Sequence, residues 1–426
     1  MKLSEIIEVF IAGDWGSELP SIEAPHAVSC VRGADIVPIS NNEFANIPLR
    51  YISDRSFQQK LLQVGDIVIE KSGGSPTQST GRAVYISQAL LSASTDVVCS
   101  NFCVAFRVKD GWNPYFIYQY WQHLYNSGVF FNFEGKTSGI KNLQLDIALS
   151  TIEIEPYPIE KQISIAICLE AFEKKIALNR ALNHNLEAMA KQLYDYWFVQ
   201  FDFPDENGKP YKSSGGKMVW NSTLKRDIPD MWHCGNLFEI AKFTNGLACQ
   251  KFRPKAGEKA LSVIKIREMR DGFTADTEKV TPNIPNSVKV FNGDILFSWS
   301  ASLEIMLWAF GDGGLNQHIF KVTSANDFPK SFYYFQLLNY VDVFKKMAEA
   351  RKTTMGHITQ DHLQQSTIAI PDDISIAKSF EEKVSPIFDQ QVKLQEEIQQ
   401  LTKQRDELLL LLMNGQASVN YDLSVD

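Results

Sequence analysis

The sequence lacks any apolar run close to the roughly 20 residues that a membrane-spanning helix requires. Its longest run, residues 408–413, is far too short. The start of the chain places Lys2 and Glu5 ahead of any apolar stretch, unlike a secretory signal peptide. These absences predict a soluble protein of the cytoplasm.

Cysteine is also scarce. The six cysteines are scattered along the chain. Cys99 and Cys103 stand close together, but they have no histidine or cysteine partner at the spacing of a zinc site. We therefore expect buried free thiols and no metal ion bound by this chain.

Sequence signatures of catalysis are missing as well. A methyltransferase would need a glycine-rich cofactor loop after a strand and an Asn/Asp-Pro-Pro-aromatic motif, and the sequence has neither. Gly135-Lys136-Thr137 resembles the end of an ATP-binding loop, but the first glycine of that loop would fall at Phe130. The sequence therefore predicts a protein that is not an enzyme and holds no cofactor of its own.

The formal net charge is −8, which for the chain as a whole argues against a nucleic-acid partner. The charges are unevenly distributed, however. Basic residues outnumber acidic ones in residues 205–370, whereas residues 371–426 are strongly acidic. Charge alone therefore does not decide the function.

The chain contains an internal repeat with a shift of 216 residues. Residues 150–154 (STIEI) match residues 366–370 (STIAI), and residues 171–173 fall on residues 387–389 without a gap. Further segments correspond in the same order: 3–6 with 237–240, 64–68 with 292–296, and 136–140 with 352–358. Such a repeat predicts a duplicated architecture.

Both halves follow one plan. Short β-type runs, such as residues 66–70 and 97–106, come first, and an aromatic-rich helical stretch follows at 115–125 and 331–344. A strand-like Thr-Ile-x-Ile segment then leads through proline into a long helix. The predicted fold class is α+β, with two β-rich α/β domains in a pseudo-twofold repeat, separated by two long helices.

Both long helices have the heptad spacing of a coiled-coil seam. The predicted seam positions are Leu178, Leu182, Asn185 and Met189 in the first helix, and Leu394, Ile398, Leu401 and Leu408 in the second. A helix of roughly 55 Å, at about 1.5 Å per residue, needs a partner to bury such a seam. We expect the two helices to pair antiparallel as a coiled coil; the alternative is that each packs on its own domain.

Several motifs accompany these helices. They are Pro158-Ile159-Glu160-Lys161-Gln162-Ile163, Trp197-Phe198, Phe201-Asp202-Phe203-Pro204, residues 208–216 (GKPYKSSGG), and Ile228-Pro229 with Trp232. With them the chain resembles, over essentially its whole length, the specificity (S) subunits of type I restriction–modification systems. It departs from that pattern at Leu3, which no Ile-Pro-x-x-Trp opening precedes, and at Pro371-Asp372-Asp373, which lacks the Pro-x-x-x-Glu-Gln spacing.

The resemblance implies a division into target-recognition domains and long helices: domain 1 at 1–155, helix 1 at 156–205, a linker with domain 2 at 206–370, and helix 2 with a tail at 371–426. Each domain would read one half of a split double-stranded DNA site. The helices would set the gap and dock two methyltransferase (modification) subunits. S-adenosylmethionine is expected on these methyltransferase subunits. ATP and Mg²⁺ are expected on motor–nuclease (restriction) subunits.

Candidate DNA contacts are cations, hydroxyls and flexible turns, which suit phosphates and base edges. Matched Lys-Thr pairs occupy the same place in both repeats: Lys136 and Thr137, and Lys352 and Thr353. The other candidates are Lys71, Ser72, Gly73 and Arg82 in the first domain, and Arg253, Lys255, Lys265 and Arg267 in the second. Alternation from Leu261 predicts that Lys265 and Arg267 share one face of a strand.

A second hypothesis is a non-catalytic coiled-coil scaffold whose two β-rich domains bind proteins. The acidic second helix and the negatively charged first domain favour it. The dependence of DNA affinity on salt concentration would separate the two hypotheses.

Overall fold

The computed structural model describes residues 1–73, 78–137, 140–300, 302–350 and 358–419. The chain forms two compact units. The first unit comprises Met1–Ala177 and Leu401–Asp426, and the second unit comprises Leu178–Gln400. Within the described ranges, no helix combines the length and the apolar character needed to cross a membrane.

The first unit is built on three sheets. Its strands are β1 (Ile7–Ala12), β2 (His26–Val31), β3 (Leu49–Ile52), β4 (Ile67–Glu70), β5 (Ser72–Gly73), β6 (Ala83–Tyr85), β7 (Val97–Cys99), β8 (Cys103–Val108), β9 (Glu134–Thr137) and β10 (Ile140–Leu143). The main antiparallel sheet has the order β1-β8-β4-β6. A second sheet, β3-β2-β7, contains the parallel pair β2–β7, and a small third sheet has the order β5-β10-β9.

The helices that begin in the first unit are α1 (Ile36–Ser40), α2 (Asp54–Lys60), α3 (Gln88–Ala93), α4 (Pro114–Asn126), α5 (Leu145–Thr151) and α6 (Ile159–Tyr194). Helix α4 confirms the predicted aromatic helix. Asn113 caps it by accepting the Phe116 N–H, and Pro114 stands in its first turn. Buried Trp121 packs on Phe106 and Phe130, so α4 closes the core of the main sheet.

The second unit contains strands β11 (Met218–Asn221), β12 (Arg226–Pro229), β13 (Trp232–Gly235), β14 (Ala241–Asn245), β15 (Leu261–Ile264), β16 (Lys279–Val280), β17 (Lys289–Val290), β18 (Ile295–Ser298), β19 (Glu304–Leu307), β20 (Gly313–Leu315), β21 (Ile319–Ser324) and β22 (Ile368–Pro371). Its helices are α7 (Leu237–Ile240), α8 (Ile266–Asp271), α9 (Lys330–Ala350), α10 (Gln360–Gln364) and α11 (Ser375–Met413). Helix α9 confirms the second predicted aromatic helix.

The sheets confirm the internal repeat. The order β14-β21-β18-β19 in the second unit reproduces β1-β8-β4-β6 in the first. The parallel pair β15–β20 likewise reproduces β2–β7. Gly65 and Gly293, from matched segments, have φ values of 97° and 88° ahead of β4 and β18, a backbone conformation that glycine adopts without strain.

One predicted strand is wrong in extent. Residues 97–106 form two strands, β7 and β8, because the chain turns at residues 100–102 and the Cys103 N–H bonds to the Ser100 carbonyl. The second long helix begins only at Ser375. There Asp373 accepts hydrogen bonds from the backbone N–H and the hydroxyl of Ser375, at 2.8 and 2.6 Å.

The two long helices run antiparallel, as predicted. In the second unit, the Gln391 side-chain amide donates to the Asn183 carbonyl at 3.5 Å. In the first unit, Arg405 Nη1 donates to Glu173 Oε1 at 2.6 Å. A later residue of α11 thus contacts an earlier residue of α6, as expected for antiparallel helices.

The predicted seam positions are buried or half-buried on α11, whereas the prediction is wrong for α6. Leu394 and Ile398 are each 5% exposed, and Leu401 and Leu408 are half-buried. On α6, the predicted positions are instead exposed: Leu178 at 54%, Leu182 at 42%, Met189 at 59%, and Asn185 as well.

The buried positions of α6 lie one residue later in the heptad frame, which corresponds to a rotation of about 100°. Ile176, Asn179 and Ala190 are at most 1% exposed. The prediction followed the leucines, whereas the buried stripe includes Asn179 and Asn183. Their polarity hid it from a search for apolar periodicity.

Candidate nucleic-acid interface

The small sheet β5-β10-β9 brings together five candidate DNA contacts of the first domain. Lys71 precedes β5, Ser72 and Gly73 form it, and Lys136 and Thr137 end β9. Strand β10 pairs with both neighbours and thereby joins them. These residues, far apart in sequence, thus share one small sheet.

Hydrogen bonds to Glu134 brace this sheet. Its Oε1 accepts the Thr80 N–H at 2.7 Å and the Ser79 hydroxyl at 2.9 Å, while Lys141 lies 3.1 Å from Oε2. Burial alone would raise the pKa of Glu134, but these hydrogen bonds outweigh it and hold the pKa below its usual value. The carboxylate therefore stays ionised and neutralises Lys141.

Arg82 is occupied within the domain. Its guanidinium binds Glu70 with two hydrogen bonds, of 2.8 and 2.7 Å, in the bidentate geometry typical of arginine–carboxylate pairs. The two side chains are only 18% and 6% exposed. The predicted contact of Arg82 with DNA stays a prediction, and the structure adds a role in holding β4 and β6.

Lys71 contrasts with Arg82. Its side chain is exposed and forms no ion pair with any other described residue. Ser72 donates its hydroxyl to Asn142 Oδ1 at 2.5 Å, which fixes β5 against β10. Among the described side chains of this surface, Lys71 is therefore a cation that is available to an anionic partner.

The predicted strand face carrying Lys265 and Arg267 is wrong. Strand β15 ends at Ile264, Lys265 caps the next helix, and Arg267 lies within α8. The helix forms because Glu268 Oε2 accepts the Lys265 N–H at 3.2 Å and so closes the first turn.

Both of these cations are also paired within the unit. Lys265 Nζ lies 2.6 Å from Glu278 Oε1, and Arg267 Nη2 lies 2.7 Å from Glu268 Oε1. Arg253 and Lys255 are exposed, and neither side chain forms an ion pair within 4 Å of a carboxylate in the described part of the chain, although the Lys255 N–H donates to Glu258 Oε2 at 3.0 Å. The basic segment therefore offers fewer available cations than its composition indicates. Lys352 and Thr353 lie outside the described residues.

In the part of the chain that the structure describes, no three His, Cys, Asp or Glu side chains come together to hold a metal ion. The expectation that the chain binds no metal stays a prediction. All six cysteines are free thiols, and Cys30, Cys99, Cys103 and Cys249 are buried, as expected.

Sequence reasoning missed an exposed apolar stripe on α6. Ile163 (39%), Ile167 (62%), Leu178, Leu182 and Met189 are all substantially exposed. Leu178, Leu182 and Met189 follow heptad spacing, and that signal led to their assignment to the seam. Sequence reasoning did not consider that the polar stripe with Asn179 and Asn183 could be the buried one.

Comparisons with known proteins give the family of the chain. The profile of the type I restriction modification DNA specificity domain matches residues 38–188 and again residues 229–404. The type I restriction enzyme MjaIX specificity subunit of Methanocaldococcus jannaschii is 24% identical over 401 residues, which cover 91% of this chain and 88% of that protein.

The type I restriction–modification S subunit from M. genitalium, known from a crystal structure, shares the fold. Its TM-score is 0.55 at 14% identity, with 97% of this chain and 95% of that chain covered. The family profile occurs twice, in step with the internal repeat, and covers more than half of the sequence. The chain therefore belongs to the family of type I restriction–modification specificity subunits.

Proposed function

We propose that this specificity subunit reads a bipartite double-stranded DNA site, with one half-site read by each β-rich domain, and that it catalyses no reaction itself. The observation that carries the proposal is the duplicated scaffold, in which two domains with the same sheet order adjoin one antiparallel helix pair. Two copies of one reading domain suit a site made of two halves.

We further propose that α6 docks methyltransferase subunits through its exposed apolar stripe. Ile167, Leu178 and Met189 are 62%, 54% and 59% exposed. Several exposed apolar side chains on one face of a helix favour an interaction surface, because leaving them in water costs free energy. In this account, S-adenosylmethionine resides on those subunits, and ATP and Mg²⁺ reside on motor–nuclease subunits.

The test is sequencing of N6-methyladenine in cells with and without the gene, with the partner methyltransferase expressed in both. The expected result is one methylated motif, made of two short halves with a fixed gap, that disappears with the gene. Persistence of every such motif in the deletion strain contradicts the proposal.

A protein-interaction scaffold is the second candidate, and the exposed apolar stripe favours it too. Affinity measured against salt concentration distinguishes the two. Phosphate contacts release counterions and give a steep linear fall of log K with log salt. A scaffold would show no specific DNA binding at any salt concentration.

A further inference from the structure

The two units share a backbone arrangement beyond their sheets. In the first unit, the N–H groups of Lys71 and Ser72, just after β4, donate to the Phe102 carbonyl at 3.0 and 3.1 Å. The Lys71 carbonyl accepts the Leu143 N–H at 2.8 Å. Lys71 and Phe102 thus stand side by side where three segments meet, and we name this pair junction 1.

The second unit repeats the arrangement. The Trp299 N–H, just after β18, donates to the His318 carbonyl at 3.4 Å, and the Trp299 carbonyl accepts the Ile358 N–H at 3.0 Å. His318 follows Phe102 by 216 residues, the shift of the sequence repeat. We name Trp299, Gln317 and His318 junction 2.

Close backbone contacts hold both junctions in the same geometry. A Cβ atom on Gly13 would lie 1.9 Å from the Ser100 carbonyl oxygen, and one on Gly246 would lie 2.2 Å from the Asn316 oxygen. Neither position can accept a side chain without a shift of the backbone. The scaffold at the two junctions is therefore fixed, while the side chains that it presents differ completely.

Junction 1 presents an aromatic ring and a cation. The Phe102 side chain is 59% exposed, which is unusual for a phenyl ring, and the Lys71 side chain beside it is exposed. An exposed ring can contact a thymine methyl group or wedge between base steps. A lysine can donate to guanine or to a phosphate.

Junction 2 presents rings and an amide with no lysine or arginine. The Trp299 and His318 rings lie 5.7 Å apart, and the Trp299 indole N–H donates to Asn245 Oδ1 at 3.2 Å. Gln317 and His318 are half-buried, and the Gln317 amide lies 3.3 Å from His318 Nε2. An amide and ring nitrogens can hydrogen-bond to base edges, whereas lysine and arginine are the usual partners of phosphates.

We propose that junction 1 and junction 2 carry the base-reading side chains, each selecting bases of the half-site read by its own domain. This inference rests on the proposed function in DNA recognition and adds to it the residues that determine specificity. The basic segment of the second domain then has a different task. Its exposed Arg253 and Lys255 hold the DNA backbone and do not select its sequence.

The test uses the full chain in complex with its own methyltransferase subunits. Competition binding measures how strongly each complex prefers the methylated motif over duplexes in which one half-site is scrambled. The variants are Lys71→Ala/Phe102→Ala for junction 1 and Gln317→Ala/His318→Ala for junction 2. Phe10→Ala and Trp220→Ala are matched controls, because these rings are 47% and 65% exposed elsewhere in the same units.

The junction 1 variant should lose discrimination at one half-site by roughly tenfold or more and keep it at the other. The junction 2 variant should lose discrimination at the other half-site and keep it at the first. Both control variants should keep discrimination at both half-sites. Gln317→Glu, which keeps the side-chain shape and removes the amide donor, provides a second variant with little risk to folding, and it should also lower discrimination at that half-site.

Unchanged discrimination in the junction variants, or an equal loss at both half-sites, overturns the inference. Failure of the proposed function has a different signature. In that case the unmodified complex would itself show no preference for any bipartite duplex.

Discussion

At the scale of single residues, Glu70 and Arg82 show how a cation near the candidate DNA-binding surface can serve the fold. Glu70 is 4% exposed and ends β4, so its charge must be balanced inside the domain. The Arg82 fork balances it, and the same pairing raises the pKa of Arg82. The sequence showed an arginine near a glycine turn but not the carboxylate that it binds.

Arg82→Ala should therefore destabilise the first unit by about 3 kcal/mol, because it leaves a buried carboxylate without its partner. Lys71→Ala should change stability by less than about 0.5 kcal/mol, as expected for an exposed side chain. Urea unfolding of the two variants measures both values. Equal stability of the two variants would contradict the structural role of Arg82.

His233, in β13, connects α7 with the residue that follows β22. Its Nδ1 lies 2.5 Å from Asp372 Oδ1, and its Nε2 lies 3.2 Å from Glu239 Oε2. Burial on its own would lower the pKa of His233, but the hydrogen bonds to the two carboxylates outweigh it, and the pKa is raised.

A histidine with a raised pKa stabilises the fold fully below the unfolded-state pKa of about 6.5 and loses this contribution as pH rises through its folded-state pKa. His233→Gln should therefore cost the most stability near pH 6 and least near pH 9. Unfolding midpoints across this range measure the difference. His184→Gln, an exposed histidine on α6, is the control; a cost that grows with pH would contradict the account.

At the scale of elements, the α6 seam was the main failure of prediction. Heptad periodicity correctly gave a long helix with an antiparallel partner, yet it selected the exposed stripe. Asn179 is fully buried, and neither atom of its amide has a hydrogen-bond partner among the described residues. Such a residue costs free energy, so no argument from burial would have chosen it. The partner helix decides the seam, and the sequence of α6 alone does not contain that information.

Ile176 and Leu178 provide a matched test of the seam, since they are 1% and 54% exposed on the same helix. Ile176→Ala should cost about 2–5 kcal/mol because it leaves a cavity in the helix interface. Leu178→Ala should cost less than about 0.5 kcal/mol. Thermal unfolding of both variants gives the comparison, and the reverse order of stabilities would restore the seam expected from the sequence.

The prediction that Lys265 and Arg267 share a strand face was wrong for a local reason. Strict alternation of residues described β15 correctly as far as Ile264, and the capping contact of Glu268 then started a helix. The spacing of Lys265 and Glu268 was visible in the sequence. Lysine is not one of the preferred N-cap residues, however, so this spacing did not signal the start of a helix.

At the scale of the whole molecule, the repeat was the most reliable prediction, because it depends on many matched positions and not on any single residue. Its shift of 216 residues aligns His318 with Phe102, and the two peptide groups accept equivalent hydrogen bonds. The candidate contacts themselves were less predictable, since ion pairs with Glu70, Glu268 and Glu278 arise only after folding.

The central claim is that each half of the chain reads its own half-site. Exchange of one domain tests this claim most directly. Residues 1–155 are replaced by the corresponding domain of another specificity subunit, and the methylated motif is determined by sequencing N6-methyladenine. The account predicts a new first half-site, with the second half-site unchanged. A motif that changes in both halves, or in neither, would contradict it.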